Sequence, residues 1–158
     1  MMKIKLICVG KTNFNFLKTG EEEYSKRLAH YCSFSRIDIP ELKQVKSFTQ
    51  EEIKLREGEL ILSKIQSGEY VVLLDDKGKS FNSIAFANHL EKKALHGSSA
   101  ITFIIGGAYG FSPAVYAKAD EQISLSEMTF SHQIIRLIFL EQIYRAFTII
   151  KGEKYHHA

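Results

Sequence analysis

Cysteine is scarce in this chain of 158 residues, and the two present build nothing together. Cys8 and Cys32 form no Cys-x-x-Cys pair and no disulfide framework, which argues against a stapled secreted domain. Cys8 lies in an apolar stretch and reads as a core thiol, so a reducing cytoplasm is the expected compartment. A leader is lacking too: the apolar run in MMKIKLICVG is short and broken by Lys3 and Lys5. No segment suits a membrane span, because the most apolar one is interrupted by Arg136, Glu141, Gln142 and Arg145. The histidines (His30, His89, His96, His132, His156 and His157) show no HExxH and no pairing with cysteine, so no metal is expected. GxSxG is missing as well, which removes the common serine-hydrolase reading. There is no internal repeat, linker or low-complexity stretch.

What remains is an ordinary globular composition, 45% hydrophobic, in a chain of one-domain length. Such a length buries about two-thirds of the unfolded surface. The net charge of +3 is small but localised. Lys3, Lys5, Lys11, Lys18, Lys26 and Arg27 face only three acids within the first thirty residues, whereas the rest of the chain is balanced. A solvated surface is the ordinary reading of such a set, and a nucleic-acid-facing one the alternative.

Apolar runs and helical periods alternate along the chain. Residues 4–9 read as a buried strand ending at Gly10, followed by a loop over 11–18 and a helix over 19–31. A short strand at 36–39 stops at Pro40. A helix starts at Thr49 and runs to Gly68, a strand covers 70–74, and Asp75-Asp76-Lys77-Gly78 reads as a turn. A helix over 83–95 and a strand over 101–105 lead into Gly106-Gly107-Ala108-Tyr109-Gly110. Ser112 followed by Pro113 is an N-cap with a first-turn proline, giving a helix to about Ala119. Strands each followed by a helix predict an α/β fold, with a mostly parallel sheet covered on both faces.

The segment 123–155 organises the rest. Its helix, over 132–150 with Ser131 as cap, is apolar nearly all the way round: Ile134, Ile135, Leu137, Ile138, Phe139, Leu140, Ile143, Tyr144, Phe147 and Ile149 leave no polar face. Such a helix needs cover on every side, from a sheet and a second subunit or from burial within a monomer; a homodimer is the favoured reading. Arg136 and Arg145 within it each require an anionic or hydrogen-bonding partner.

In parallel α/β sheets ligands sit beyond the carboxyl ends of the strands. Three loops fall there: 74–78, 106–110 and 125–130. Two look-alikes fail. Gly78-Lys79-Ser80 resembles the end of a P-loop, but Leu73 stands where its first glycine belongs. The glycine cluster at 106–110 lacks the spacing of a dinucleotide fingerprint. A glycine turn there serves equally as a ligand cradle or a tight turn. His156 and His157 read as a solvated tail or as functional imidazoles.

Gly106-Gly107-x-x-Gly110, Leu125-Ser126-x-Met128-Thr129-Phe130-x-His132-Gln133, Arg136, Glu141-Gln142-Ile143-Tyr144-Arg145-Ala146 and Gly152-x-x-Tyr155-His156-His157 together resemble the RlmH family of SPOUT-class methyltransferases. The likeness is dense over 101–157 and looser elsewhere, including Val9-Gly10-Lys11 and Leu74-Asp75-x-x-Gly78-Lys79. Ser131 replaces a proline frequent in that family, and keeps a good cap. The resemblance implies one domain over 1–158 whose segment from about 70 to 157 forms a trefoil knot. It also implies a homodimer and S-adenosylmethionine as cofactor. The cofactor would be held by Leu74, Gly106, Leu125, Ser126, Glu127, Met128, Thr129 and Phe130. The implied reaction is methylation of N3 of a pseudouridine in large-subunit ribosomal RNA, with an assembled ribosome as partner. Arg145 is then a candidate for holding the uracil oxygens or a phosphate, Tyr155 for stacking, and His156 or His157 for taking the N3 proton. Another SPOUT enzyme acting on transfer RNA, and a non-catalytic ribosome-associated nucleotide binder, are the alternatives.

Overall fold

The computed structural model describes residues 1–97 and 100–157, so Ala158, which closes the tail motif, lies outside the described residues. Five strands form one sheet in the order β2-β1-β4-β3-β5: β1 (Lys3–Val9), β2 (Ser33–Ile39), β3 (Tyr70–Ser80), β4 (Ala100–Ile105) and β5 (Glu121–Ser124). Every pairing in it is parallel. The helices are α1 (Asn15–Leu28), α2 (Gln50–Ser63), α3 (Ser83–Leu95), α4 (Pro113–Lys118) and α5 (Ile134–Ile150).

The strands are apolar without alternation because both faces are covered. Ile4, Leu6 and Cys8 of β1, with Ile101, Phe103 and Ile105 of β4, join Phe86 and Leu90 of α3 and Phe139, Leu140 and Ile143 of α5 in one core. Ile7, Val9, Val71, Leu73 and Ile104 point the other way, onto Ile61 of α2 and Val115 of α4. Phe103 and Phe139 meet at 4.9 Å between ring centroids, which seats α5 on the middle of the sheet. Gly20 lets α1 lie against α5, since a Cβ there would stand 3.0 Å from the Leu137 methyls.

Boundaries differ from expectation where tertiary contacts decide them. α1 begins at Asn15 and ends at Leu28, rather than spanning 19–31, because buried Leu17 anchors an extra first turn and buried Leu28 closes the last. β2 starts three residues early, as each residue from Ser33 to Ile39 pairs with one of β1. α2 stops at Ser63, short of Gly68; the chain that follows is tied down by Glu69, whose carboxylate accepts from Lys5 Nζ (2.7 Å) and the Thr102 hydroxyl. Residues 75–78 are not a free turn but part of β3. There the register with β5 shifts, so that Leu74 and Lys79 both pair with Ile123. Gly78 permits this, because a Cβ would stand 2.6 Å from the β5 backbone. α5 starts at Ile134 and not at 132, so the N-cap position falls to Gln133 rather than Ser131; the Ser131 hydroxyl, in the turn before it, still accepts the Ile134 N–H at 3.2 Å.

Among the described residues no helix is long and apolar enough to cross a membrane, and no group of three His, Cys, Asp or Glu side chains could hold a metal ion.

Candidate active site

The carboxyl ends of β3, β4 and β5 open into a cavity of about 420 Å³, walled by residues from all three predicted loops. Leu74, Ile105, Leu125, Phe130 and Ile135 give it apolar surface, and Gly106, Gly107, Ser126 and Thr129 give it backbone and hydroxyl groups. Such a mixture suits a planar apolar ligand held by a few polar contacts. Seven of the eight residues expected to hold a cofactor line this cavity: Leu74, Gly106, Leu125, Ser126, Met128, Thr129 and Phe130. Glu127 does not, and its side chain is exposed.

The loop over 125–130 is shaped from within. The Ser124 hydroxyl donates to the Ser126 carbonyl (2.8 Å), and the Ser126 hydroxyl accepts from the Met128 N–H (2.9 Å). Opposite, the Tyr116 hydroxyl donates to Asp75 at 2.5 Å and the Lys77 N–H at 3.1 Å. Burial works against the Asp75 charge, but these two donors outweigh it and hold the carboxyl below its usual range. The glycine turn is close-packed behind the cavity. A Cβ on Gly106 would meet the Phe111 ring at 3.0 Å, and one on Gly107 would meet both carboxylate oxygens of Glu57 at 2.9 Å. Glu57 Oε1 is buried without a hydrogen-bond partner, and burial followed by the neighbouring Glu41 raises that carboxyl's pKa.

Arg136 and Arg145 have separate fates. Arg136 is fully buried and finds carbonyls rather than an acid: Nε donates to His132 (2.9 Å), Nη1 to Gly10 (2.9 Å) and Nη2 to Val9 (2.8 Å). It fixes the start of α5 to the end of β1. Arg145 is half-buried. Its Nη2 donates to Glu141 at 2.5 Å, its Cζ lies 4.8 Å from the centroid of the Tyr155 ring, and its Nη1 is 3.0 Å from His156 Nδ1. A guanidinium has no acceptor, so Nδ1 must accept and the ring proton of neutral His156 sits on Nε2. The ring therefore offers a donor to its surroundings. The Tyr155 hydroxyl donates to Glu141 at 2.9 Å and lies 3.2 Å from that of Tyr24. Burial and these two partners push the Tyr155 phenol well above its ordinary value. His157 is exposed.

The cavity and this cluster are not together in one chain. Ile135 lines the cavity and Arg145 lies ten residues further along α5, about 15 Å at 1.5 Å per residue. Tyr155 and His156 stay at that far end. Glu141, which holds both Arg145 and Tyr155, went unselected in the sequence although its i,i+4 spacing to Arg145 marks it. Phe111 follows the glycine turn directly and was equally within reach. Nothing local marks Glu57, which tertiary packing alone brings behind Gly107.

A parallel α/β chain with a cavity built by a glycine turn and by the loop entering its last helix is a ligand-binding fold of the kind that handles nucleotide-like cofactors. The chain belongs to the SPOUT methyltransferase family: the family model described as "Predicted SPOUT methyltransferase" matches residues 2–156. It is 53% identical to the protein named ribosomal RNA large subunit methyltransferase H of Parabacteroides distasonis, and 51% to that of Christiangramia forsetii, over 156 residues and 99% of each chain in both cases. A solved SpoU methyltransferase, AviRb from Streptomyces viridochromogenes in complex with AdoMet, aligns with TM-score 0.48 and 12% identity over 95% of this chain and 58% of its own, a likeness too loose to carry weight.

Proposed function

We propose that this protein is an S-adenosylmethionine-dependent methyltransferase of large-subunit ribosomal RNA, acting at N3 of a pseudouridine on the assembled ribosome in the cytoplasm. The observation that carries this reading is the three-loop cavity on a chain half identical, along nearly its whole length, to proteins bearing that name. Those names also favour ribosomal over transfer RNA. The residues fit the cofactor: apolar walls at Leu74, Leu125 and Phe130 for adenine, a glycine turn for close approach, and the Ser126 and Thr129 hydroxyls for polar contacts.

S-adenosylmethionine supplies an electrophilic sulfonium methyl when bound. The chain's task is then alignment, exclusion of water and handling of one proton. Arg145, fixed by Glu141, holds the uracil oxygens or a flanking phosphate; Tyr155 gives a stacking face; the Nε2–H of His156 donates to the base. The N3 proton leaves to His157 or to solvent, since the His156 Nδ1 lone pair is occupied by Arg145.

Because about 15 Å of α5 separates the cavity from this cluster, a homodimer follows from the proposal. A two-fold axis across α5 sets the end of one helix near the start of the other, so that each cavity receives the partner's tail. Ile134 and Ile138, partly exposed in the single chain, are the apolar surface available for it. The whole chain acts as one unit, its segment from about 70 to 157 threaded as a trefoil knot around the cofactor. The test is transfer of a labelled methyl group to free ribosomal RNA, separate subunits, whole ribosomes and transfer RNA. Whole ribosomes are expected to be the best acceptor, with the label on a pseudouridine; label on transfer RNA alone would overturn the reading.

A further inference from the structure

The fold sorts the six cations clustered at the start of the sequence. Lys5 is taken by Glu69 at 2.7 Å, and Arg27 by Glu23 at 2.9 Å and the Tyr24 ring. Lys3 lies at the amino end of the sheet. The remaining three, Lys11, Lys18 and Lys26, converge on one open groove of about 540 Å³ between α1 and the edge strand β2. All three are exposed, and none is in an ion pair among the described residues.

The acids of that groove do not neutralise them. Glu21 and Asp38 are engaged by Arg36, at 2.5 Å and 2.8 Å, and Glu21 also accepts from the Thr12 hydroxyl at 2.9 Å. Arg36 offsets one of those two charges, so with Glu22 the groove holds three acids against four cations, a net charge of +1 with the three lysines unpaired. The groove starts where the cavity wall ends. Gln133, next to the wall residue His132, accepts from the Asn13 N–H at 2.7 Å and donates to the Lys11 carbonyl at 3.0 Å. At the same junction Phe14 and Phe16 are exposed, their rings 5.7 Å apart.

We propose that this groove is a docking track for the phosphate backbone of RNA, leading a strand from α1 to the mouth of the cavity. Lys18 and Lys26 stand eight residues apart, about 12 Å along α1, the length of three or four nucleotides at about 3.4 Å each. Exposed aromatic rings beside a basic groove suit an unpaired base, which stacks without sequence preference. The inference rests on the RNA-methyltransferase reading and adds to it the surface that positions the substrate.

The test compares the wild-type protein with K11Q/K18Q/K26Q, and with K3Q as a surface control, using an unmodified single-stranded RNA as probe. Each lost phosphate contact on a single strand lowers the slope of log affinity against log salt by about 0.7, so the triple variant should lose about 2 in slope. At low salt it should bind at least about tenfold more weakly. In the transfer assay KM for ribosomes should rise with kcat and cofactor affinity unchanged, and K3Q should match wild type. A triple variant with wild-type slope and KM, or a K3Q slope that falls equally, overturns the groove while leaving the transfer reaction standing. A wild-type protein that binds RNA through these lysines yet methylates no ribosomal RNA leaves the groove standing and overturns the function.

Discussion

The two ends of α5 carry one arginine each and put them to opposite uses. At the start, Arg136 is sealed from solvent and spends its donors on carbonyls of β1 and of its own first turn. Near the end, Arg145 is held by Glu141 and left half-open beside Tyr155 and His156. Neutral dipoles satisfy the geometry of a buried guanidinium but leave nothing for a ligand. A carboxylate partner on a partly wet surface leaves donors that a substrate can take. Arg136 is therefore scaffold, and Arg145 keeps donors free for the substrate role proposed for it. Between them α5 is apolar because the sheet and α3 cover it.

The largest effect should come from breaking the scaffold arginine. Arg136→Met leaves the Val9 and Gly10 carbonyls without their donor in a dry site, and at about 1–3 kcal/mol for each unsatisfied acceptor urea unfolding should show a loss of about 2–5 kcal/mol. A loss below about 1 kcal/mol would mean that Arg136 is not the clamp. Next in size, Arg145→Met or deletion of residues 155–158 should reduce methyl transfer by about a hundredfold or more. Stability and cofactor affinity, read by calorimetry, should stay close to wild type; a parallel collapse in cofactor affinity would merge the two ends into one function.

At the cavity end, Gly106→Val drives a branched side chain into the Phe111 ring. The added side chain, or the Phe111 ring it displaces, takes up cavity space, so the cofactor dissociation constant should rise about tenfold or more, about 1.4 kcal/mol. Unchanged binding would remove Gly106 from the site. The smallest effect concerns His132. Burial first, and then Arg136, hold its imidazole below the ordinary histidine range. The unfolded chain therefore takes up a proton at a higher pH than the folded one. This contribution is intact above the ordinary value and is lost as pH falls from there through the lower folded value. Urea unfolding followed from about pH 8 to about pH 5 should show a shallower acid decline in His132→Gln; superimposable curves would dismiss the effect.

Much of this was legible in the residues themselves. The order of β1 to β4 and of the helices, the Ser112-Pro113 cap and the loops that wall the cavity follow from apolar period and turn chemistry, whereas β5, only four residues long, carries too little apolar period to mark it. The limits of α1, β2 and α2 do not, because Leu17, the pairing of β2 along β1 and the Glu69 tether act across the chain. The bulge in β3 is likewise set by β5, and no local pattern announces it. For the site, the motif residues were visible but their separation was not. A tail shortly after Gly152 is close to the helix end in sequence, whereas the cavity lies at that helix's other end.

Mixed dimers probe that separation of cavity and clamp. Gly106→Val damages the cavity and Arg145→Met the clamp, so with cofactor held well below the wild-type dissociation constant each homodimer should transfer about tenfold less or worse. Co-expressed with different affinity tags and purified as the heterodimer, the pair should recover a large part of wild-type transfer per intact site, because one of its two cavities and the clamp that serves it are both undamaged. A heterodimer no more active than its two parents would contradict the account, placing cavity and clamp in service of each other within a single chain.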